Sequence, residues 1–212
     1  MKAKLRGAGM VLAGLVALLV GLQVLNTLTG GTLMRWGIVP RSPGSLAHIF
    51  TAPFIHASWG HLLNNLLALI PLSALCLLRS VRFYLWNSLF IIVVTGLLTW
   101  LIGRSAYHVG ASGWVFGLFG LNIGLAWFDR KPSNILAALL VMLCYGGLVA
   151  GILPTTRGVS FESHLSGLVA GVVCAFFYMS THSRPRYQPT LRGRLLPVAA
   201  EDDPVPGQAP AE

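Results

Sequence analysis

Four side chains of this sequence could together break an acyl bond: Ser112, His164, His61 and Asn65. A serine hydroxyl is a weak nucleophile until a neighbouring base takes its proton, and an imidazole within hydrogen-bond reach is the usual base. His61 and Asn65 stand four apart, so on a helix both project from one face with about 40° between them. Such a pair can donate hydrogen bonds into one cavity and stabilise a developing oxyanion, where losing one donor costs about 10² to 10³ in rate. The backbone N–H of Ser112 adds a further donor if the serine opens a helix. A carboxylate normally orients the histidine, but the only acids before the tail are Asp129 and Glu162. Glu162 stands two residues before His164 and points about 160 to 200° away on a helix, so a Ser-His dyad is the economical reading. Each element also has a bland reading: a packing Gly-Ser step, a histidine bonded to a carbonyl, a chance HxxxN. Their coincidence is what argues for chemistry.

The elements that must position these residues are membrane spans. Hydrophobic residues make up 55% of the 212-residue chain and charged ones only 10%, an apolar excess beyond that of soluble domains. Runs of membrane-spanning length cover about 8–26, 60–78, 84–103, 113–128, 134–153 and 163–180, which predicts an all-α, six-helix polytopic membrane protein. With the N-terminus inside, eleven of the fifteen Lys and Arg residues fall on the inner side. They are Lys2, Lys4, Arg6, Arg79, Arg82, Arg130, Lys131, Arg184, Arg186, Arg192 and Arg194, leaving Arg35, Arg41, Arg104 and Arg157 outside. That bias predicts both termini cytoplasmic. The net charge of +9 is explained by topology, because the basic residues form no aromatic-interleaved patch of the kind that binds nucleic acid. The first segment follows "KAKLR" and resembles a signal peptide, but no small-x-small cleavage site follows, so a retained helix is expected.

In this topology the even-numbered spans begin on the outer side. His61, Asn64 and Asn65 open the second, Ser112 the fourth, and Ser163 with His164 the sixth, so three segments deliver polar groups to one depth. Intramembrane polar groups are costly and carry a functional hypothesis by default. Ser112 lies in "GASG" (110–113). The fourth span, 113–128, covers only about 24 Å of a core about 30 Å thick, and its inner end is held by Asp129, Arg130 and Lys131. Its outer end must then lie below the surface in a wet, protein-lined pocket. Gly113, Gly117, Gly120 and Gly124 form a small-residue stripe along this span, and Ser163, Gly167, Gly171 and Ala175 form one along the sixth. If the stripes meet, as small residues in lipid allow, Ser112 and His164 come within reach.

Residues 27–59 form a long outer loop containing "IFTAPFIHASW", either anchored at the headgroups through Trp36, Phe50, Phe54 and Trp59 or an ordinary structured loop. His48, His108 and His182 are read as structural or solvated. Cys76, Cys144 and Cys174 fall within spans and are read as buried structural residues, since an odd count in spans suits no disulfide framework. From about 181 the proline-rich polar tail is expected to be disordered. The organisation expected is a short inner segment 1–7, a six-helix domain 8–180 and the tail 181–212.

Across about residues 50–180 the sequence resembles the rhomboid family of intramembrane serine proteases. The resemblance rests on "HASWGHLLNN" (56–65), "GASG" (110–113) and "SHLSGLVAG" (163–171), in the family's order. It implies that Ser112 is the nucleophile, His164 the base, and His61 and Asn65 the oxyanion donors, with His56 a structural residue holding the outer loop. Gly110, Gly113 and Gly167 belong to the same motifs as supporting positions. It further implies cleavage of transmembrane substrates near the outer face of a cell membrane, of bacterial type, with no metal or cofactor. Many members carry tyrosine four residues after the serine, packed on the histidine; this chain has Phe116, which keeps the aromatic face and lacks the hydroxyl. The Trp-Arg pair that some bacterial members carry in the first outer loop is missing. The rival readings are a catalytically silent relative that binds membrane clients, which should lack the serine or histidine, and a transporter or channel, which should show a continuous polar path.

Overall fold

The computed structural model describes residues 2–154, 159–182, 187–189 and 195–197. Among the described residues six α-helices follow one another: α1 (Lys2–Leu28), α2 (Trp59–Arg79), α3 (Val81–Ile102), α4 (Ser112–Asp129), α5 (Pro132–Tyr145) and α6 (Phe161–His182). Among the described residues five segments are long and apolar enough to cross a membrane: α1 from Lys4, α2, α3, Pro132–Ile152 and α6 to Thr181. The chain is a multi-pass membrane protein. α4, expected as a span over 113–128, has 18 residues and is not among the five. Its four glycines and Asn122 dilute its apolarity. The run 134–153, expected as one helix, is α-helical to Tyr145 and continues as a tighter 3₁₀ turn from Gly146 to Ile152. Two successive glycines at 146 and 147 remove the helix preference there.

α4 is the centre of the bundle, with twelve of its eighteen residues buried. Its glycine stripe meets the small stripe of α6 so closely that a Cβ built on Gly167 would lie 2.0 Å from the Gly113 carbonyl oxygen, and one on Gly171 1.9 Å from that of Gly117. Farther along, Gly124 faces Ala175, where a Cβ would come within 2.7 Å. The pairings 113 with 167, 117 with 171 and 124 with 175 advance together, so α4 and α6 run parallel. α3 closes the third side: Thr95 packs on Gly113, Ile91 on Gly117 and Asn87 on Cys174. Small residues at a three- or four-residue period allow such backbone contact, which replaces the hydrophobic driving force that lipid cannot supply.

At the end opposite Ser112, Asn134 ties three helices: it donates to Asp129 Oδ2 at 2.6 Å and accepts from Arg79. The loop 27–59 is not a free linker. Short 3₁₀ turns at Thr32–Trp36, Pro43–Phe50 and Ala52–Phe54 fold it against α3, with Ile49 on Gly96 and the Trp100 Nε1–H donating to Ser42 O at 2.9 Å. Ile38, Ile49 and Ala52 form its own small core, while Trp36, Phe50 and Trp59 remain exposed. Cys76 and Cys174 are buried as expected, but Cys144 is exposed, because α5 turns most of its surface outward. The tail, expected to be disordered from about 181, begins inside α6, which runs to His182; beyond it Tyr187–Pro189 and Leu195–Pro197 pair antiparallel, and the other tail residues, with Arg157, lie outside the described residues.

Candidate active site

α2 starts where Ser58 accepts the His61 N–H at 3.1 Å, an N-cap that satisfies one orphan donor of the first turn. The first two turns then carry His61 and Asn65 toward the strand of chain that leads into α4. Gly110 adopts φ +109°, and a Cβ on it would lie 2.6 Å from the His61 ring and 3.3 Å from Asn65 Nδ2. Both the left-handed backbone and the approach of two side chains therefore require glycine here. Asn65 Nδ2 is buried and, among the described residues, has no hydrogen-bond partner. A buried, unpaired amide donor costs about 1 to 3 kcal/mol, a cost that an incoming acceptor removes. Asn64, one residue earlier, is exposed and takes no part.

The approach to Ser112 is held by backbone bonds. Gly110 N–H donates to Ala52 O at 2.9 Å, and Ala111 N–H donates to His56 Nε2 at 3.2 Å. The next N–H, that of Ser112, is the first of the orphan donors at the start of α4. His56 in turn presents its carbonyl to Asn26 of α1 at 3.1 Å and its ring to His61, 5.1 Å between centroids. Burial, with His61 nearby, pushes the His56 imidazole down from 6.5 to about 4. It therefore stays neutral and keeps Nε2 as an acceptor for the Ala111 N–H.

His164, buried near the start of α6, is fixed by two contacts. Its Nδ1 lies 2.9 Å from the Gly151 carbonyl oxygen, and its ring stacks on Phe116 at 4.2 Å and 10°. A carbonyl can only accept, so Nδ1 carries the proton and Nε2 keeps its lone pair. Phe116 thus provides the aromatic face that tyrosine offers elsewhere, and its missing hydroxyl leaves the stack intact. Gly113, beside Ser112, packs on Ser163, and Phe116, one turn on, packs on His164, so Ser112 and His164 belong to adjoining turns of one seam. Among the described residues no hydrogen bond joins their side chains. A cavity of about 30 Å³ beside Ser112 is lined by Gly110, Thr95, Thr99, His108 and Ser160. It has room for a water, and the buried hydroxyls of Thr95 and Thr99, which have no partner among the described residues, are the groups such a water would satisfy.

Glu162 makes no hydrogen bond to His164 among the described residues; it accepts the Arg104 N–H at 3.3 Å, and its Oε1 lies 3.4 Å from Arg104 Nε. Sequence reasoning missed the Gly151 carbonyl, because a backbone acceptor leaves no signal in residue type. Ser160 drew no reading, Arg104 was read only as an outer-side charge, and His108, read as structural or solvated, is structural; their partners across the site lie more than fifty residues away in the chain.

A rhomboid domain model matches residues 43–181. The chain belongs to the rhomboid family. It is 35% identical over 187 residues to an uncharacterised protein of Mycobacterium tuberculosis, covering 84% of this chain and 78% of that one. It is 37% identical over 137 residues to Rhomboid-like protein 11, chloroplastic, of Arabidopsis thaliana, covering 58% of this chain and 49% of that protein. With Rhomboid-type serine protease 2 of Yarrowia lipolytica it shares 28% identity over 144 residues, 63% of this chain and 47% of that one. The matched region holds the three motif segments, 56–65, 110–113 and 163–171.

Proposed function

We propose that this rhomboid family member is a serine endopeptidase that cleaves transmembrane proteins by an acyl-enzyme on Ser112. Ser112 Oγ adds to the scissile carbonyl carbon as its proton passes to His164 Nε2. The negative charge that develops on the carbonyl oxygen meets the Ser112 N–H, Asn65 Nδ2 and His61. The tetrahedral species collapses, the C–N bond breaks, and the leaving amine takes the proton from His164. Water then repeats the steps: His164 accepts its proton, the hydroxide oxygen adds to the ester carbonyl, and Ser112 Oγ leaves reprotonated. The Gly151 carbonyl does for the imidazolium what a carboxylate does in a triad: it holds Nδ1–H and faces the positive charge with the negative end of a dipole.

The observation that carries this reading is the state of His164. Stacked on Phe116 and donating from Nδ1 to Gly151 O, it has only Nε2 left to offer, and that nitrogen is the base the reaction needs. A silent relative that only binds clients has no need for a histidine held this way beside a serine. Six spans with both termini cytoplasmic follow from the charge bias, α4 crossing as a short span sheltered by α2, α3 and α6. The site then opens toward the outer face of the plasma membrane, and substrate helices are cut near that face without metal or cofactor.

The test is expression of wild type, Ser112→Ala and His164→Ala with a single-span reporter, together with fluorophosphonate labelling. Wild type is expected to cleave the reporter and take up label, and both variants to do neither while keeping the wild-type melting temperature. Cleavage that persists in Ser112→Ala rejects the mechanism.

A further inference from the structure

Apart from Asp129, at the far end of α4, Glu162 is the one acid before residue 201. It is 6% exposed. A carboxylate is buried at a cost of several kcal/mol unless it is paired and hydrogen-bonded. Its partners all belong to the two chain segments that deliver the dyad. Arg104, at the start of the loop that becomes α4, gives Oε1 both its N–H at 3.3 Å and its Nε at 3.4 Å. The same guanidinium donates to the Val159 carbonyl and lies 5.5 Å over the Phe161 ring. Arg104 therefore grips both sides of the α6 start.

A second link runs parallel to this one. His108, four residues before Ser112, has Nε2 2.9 Å from the Arg104 carbonyl and Nδ1 2.6 Å from Ser160 Oγ. The carbonyl only accepts, so Nε2 carries a proton, and in the neutral ring Nδ1 accepts the Ser160 hydroxyl proton. Ser160 Oγ also caps α6 by accepting the Ser163 N–H at 3.2 Å. With its one proton committed to His108, Ser160 has none for Glu162 Oε2 at 3.4 Å, which leaves Arg104 as the group that holds the carboxylate. The His108 backbone is itself pinned in both directions to Ile38, at 2.8 and 3.0 Å, so the loop cannot slide along α6 without breaking several bonds together.

We infer that Glu162 and Arg104 are positioning residues for the proposed dyad: their ion pair, with the His108–Ser160 link, sets the distance between Ser112 and His164. The inference rests on the Ser112 reading. The glycine seam fixes how closely α4 and α6 pack, but close packing alone leaves the helices free to shift lengthwise. The clamp, four residues before Ser112 at His108 and two before His164 at Glu162, removes that freedom at the end where the chemistry is placed. A misplacement of about 1 Å can cost about 10²-fold in rate.

The experiment uses the full chain in detergent or liposomes, a fluorophosphonate probe, and a transmembrane peptide substrate, with wild type, S112A, E162Q, E162D and R104Q. Label on wild type that persists in S112A would reject the Ser112 reading itself, independently of the clamp. Given labelling at Ser112, E162Q is expected to reach the full labelling endpoint but at a rate lower by about 10- to 100-fold, with kcat lowered alike and KM unchanged. E162D, which keeps the charge, is expected to recover part of that rate. A merely structural role predicts a lower endpoint with wild-type rate per labelled site, and that result overturns the inference, as does an E162Q rate equal to wild type. Should E162Q fail to reach the membrane folded, R104Q, altered at the half-exposed partner, is read by the same two numbers.

Discussion

α4 and α5 are neighbours in sequence and opposites in environment. The segment carrying α5, Pro132–Ile152, is the most apolar of the five spanning segments and the least buried; Leu136, Leu139 and Leu143 are 69, 63 and 84% exposed. α4 is too rich in glycine and polar residues to stand among those segments, and it is nearly enclosed. In water this pairing of apolarity with exposure would be inverted. In a bilayer the solvent is hydrocarbon, so exposed faces are apolar, and enclosed faces can carry the small and polar residues that let backbones touch and chemistry occur. The two regions meet at Gly151, in the turn after α5, which packs on Phe116 of α4 while its carbonyl accepts from His164 of α6.

If the contrast is real, damage to the seam should far exceed equal damage to α5. Gly171→Val is expected to do most: its Cβ would fall 1.9 Å from the Gly117 carbonyl oxygen, a backbone atom that cannot move aside. The outcome is loss of folded protein, or destabilisation of at least about 3 kcal/mol, measured by thermal unfolding in detergent. Asn65→Ala, also on the enclosed side, should leave folding near wild type and lower kcat by about 10² to 10³. Gly151→Ala tests the junction. Its Cβ would stand 2.9 Å from the Phe116 ring and 3.2 Å from His164 Nδ1, so turnover should fall by about tenfold or more through misplacement of the base, with little loss of stability.

The pH response sharpens the same comparison. His56 is lowered from 6.5 to about 4 in the folded chain. Unfolded protein therefore binds more protons between those values, and stability falls as pH drops from about 6.5 toward 4. The melting temperature of wild type should decline over that window, and His56→Gln should flatten the decline. Smallest of all, Leu143→Ala on the exposed face of α5 should change stability by no more than about 0.5 kcal/mol, where the same truncation at buried Leu121 should cost about 2 to 5 kcal/mol. Similar losses at the two leucines would dissolve the contrast.

Much of this organisation could be read from residue order. Charge-free runs located the helices within two or three residues at most ends; the start of α1 and the end of α5 differed more, where basic residues or paired glycines blurred the limit. The serine, the histidine and the HxxxN pair stood out because their types are rare in spans, and Glu162, about 160 to 200° from His164 on the helix, is bonded to Arg104 instead. Asn64 was grouped with the site on position alone, and only packing shows it exposed.

By itself the sequence determined which residues sit in membrane-length helices, which faces of those helices are small enough to touch, and which side chains could act as nucleophile, base and donor. These are properties of composition and of helical period, and both are local. Tertiary structure alone decided that the two small stripes do meet, that Gly110 lies under His61 and Asn65, that Gly151 supplies the acceptor behind His164, and that Arg104 grips Glu162. Those contacts join residues 13 to 58 positions apart, and two of them use backbone atoms that every residue carries, so no local pattern of side chains could announce them.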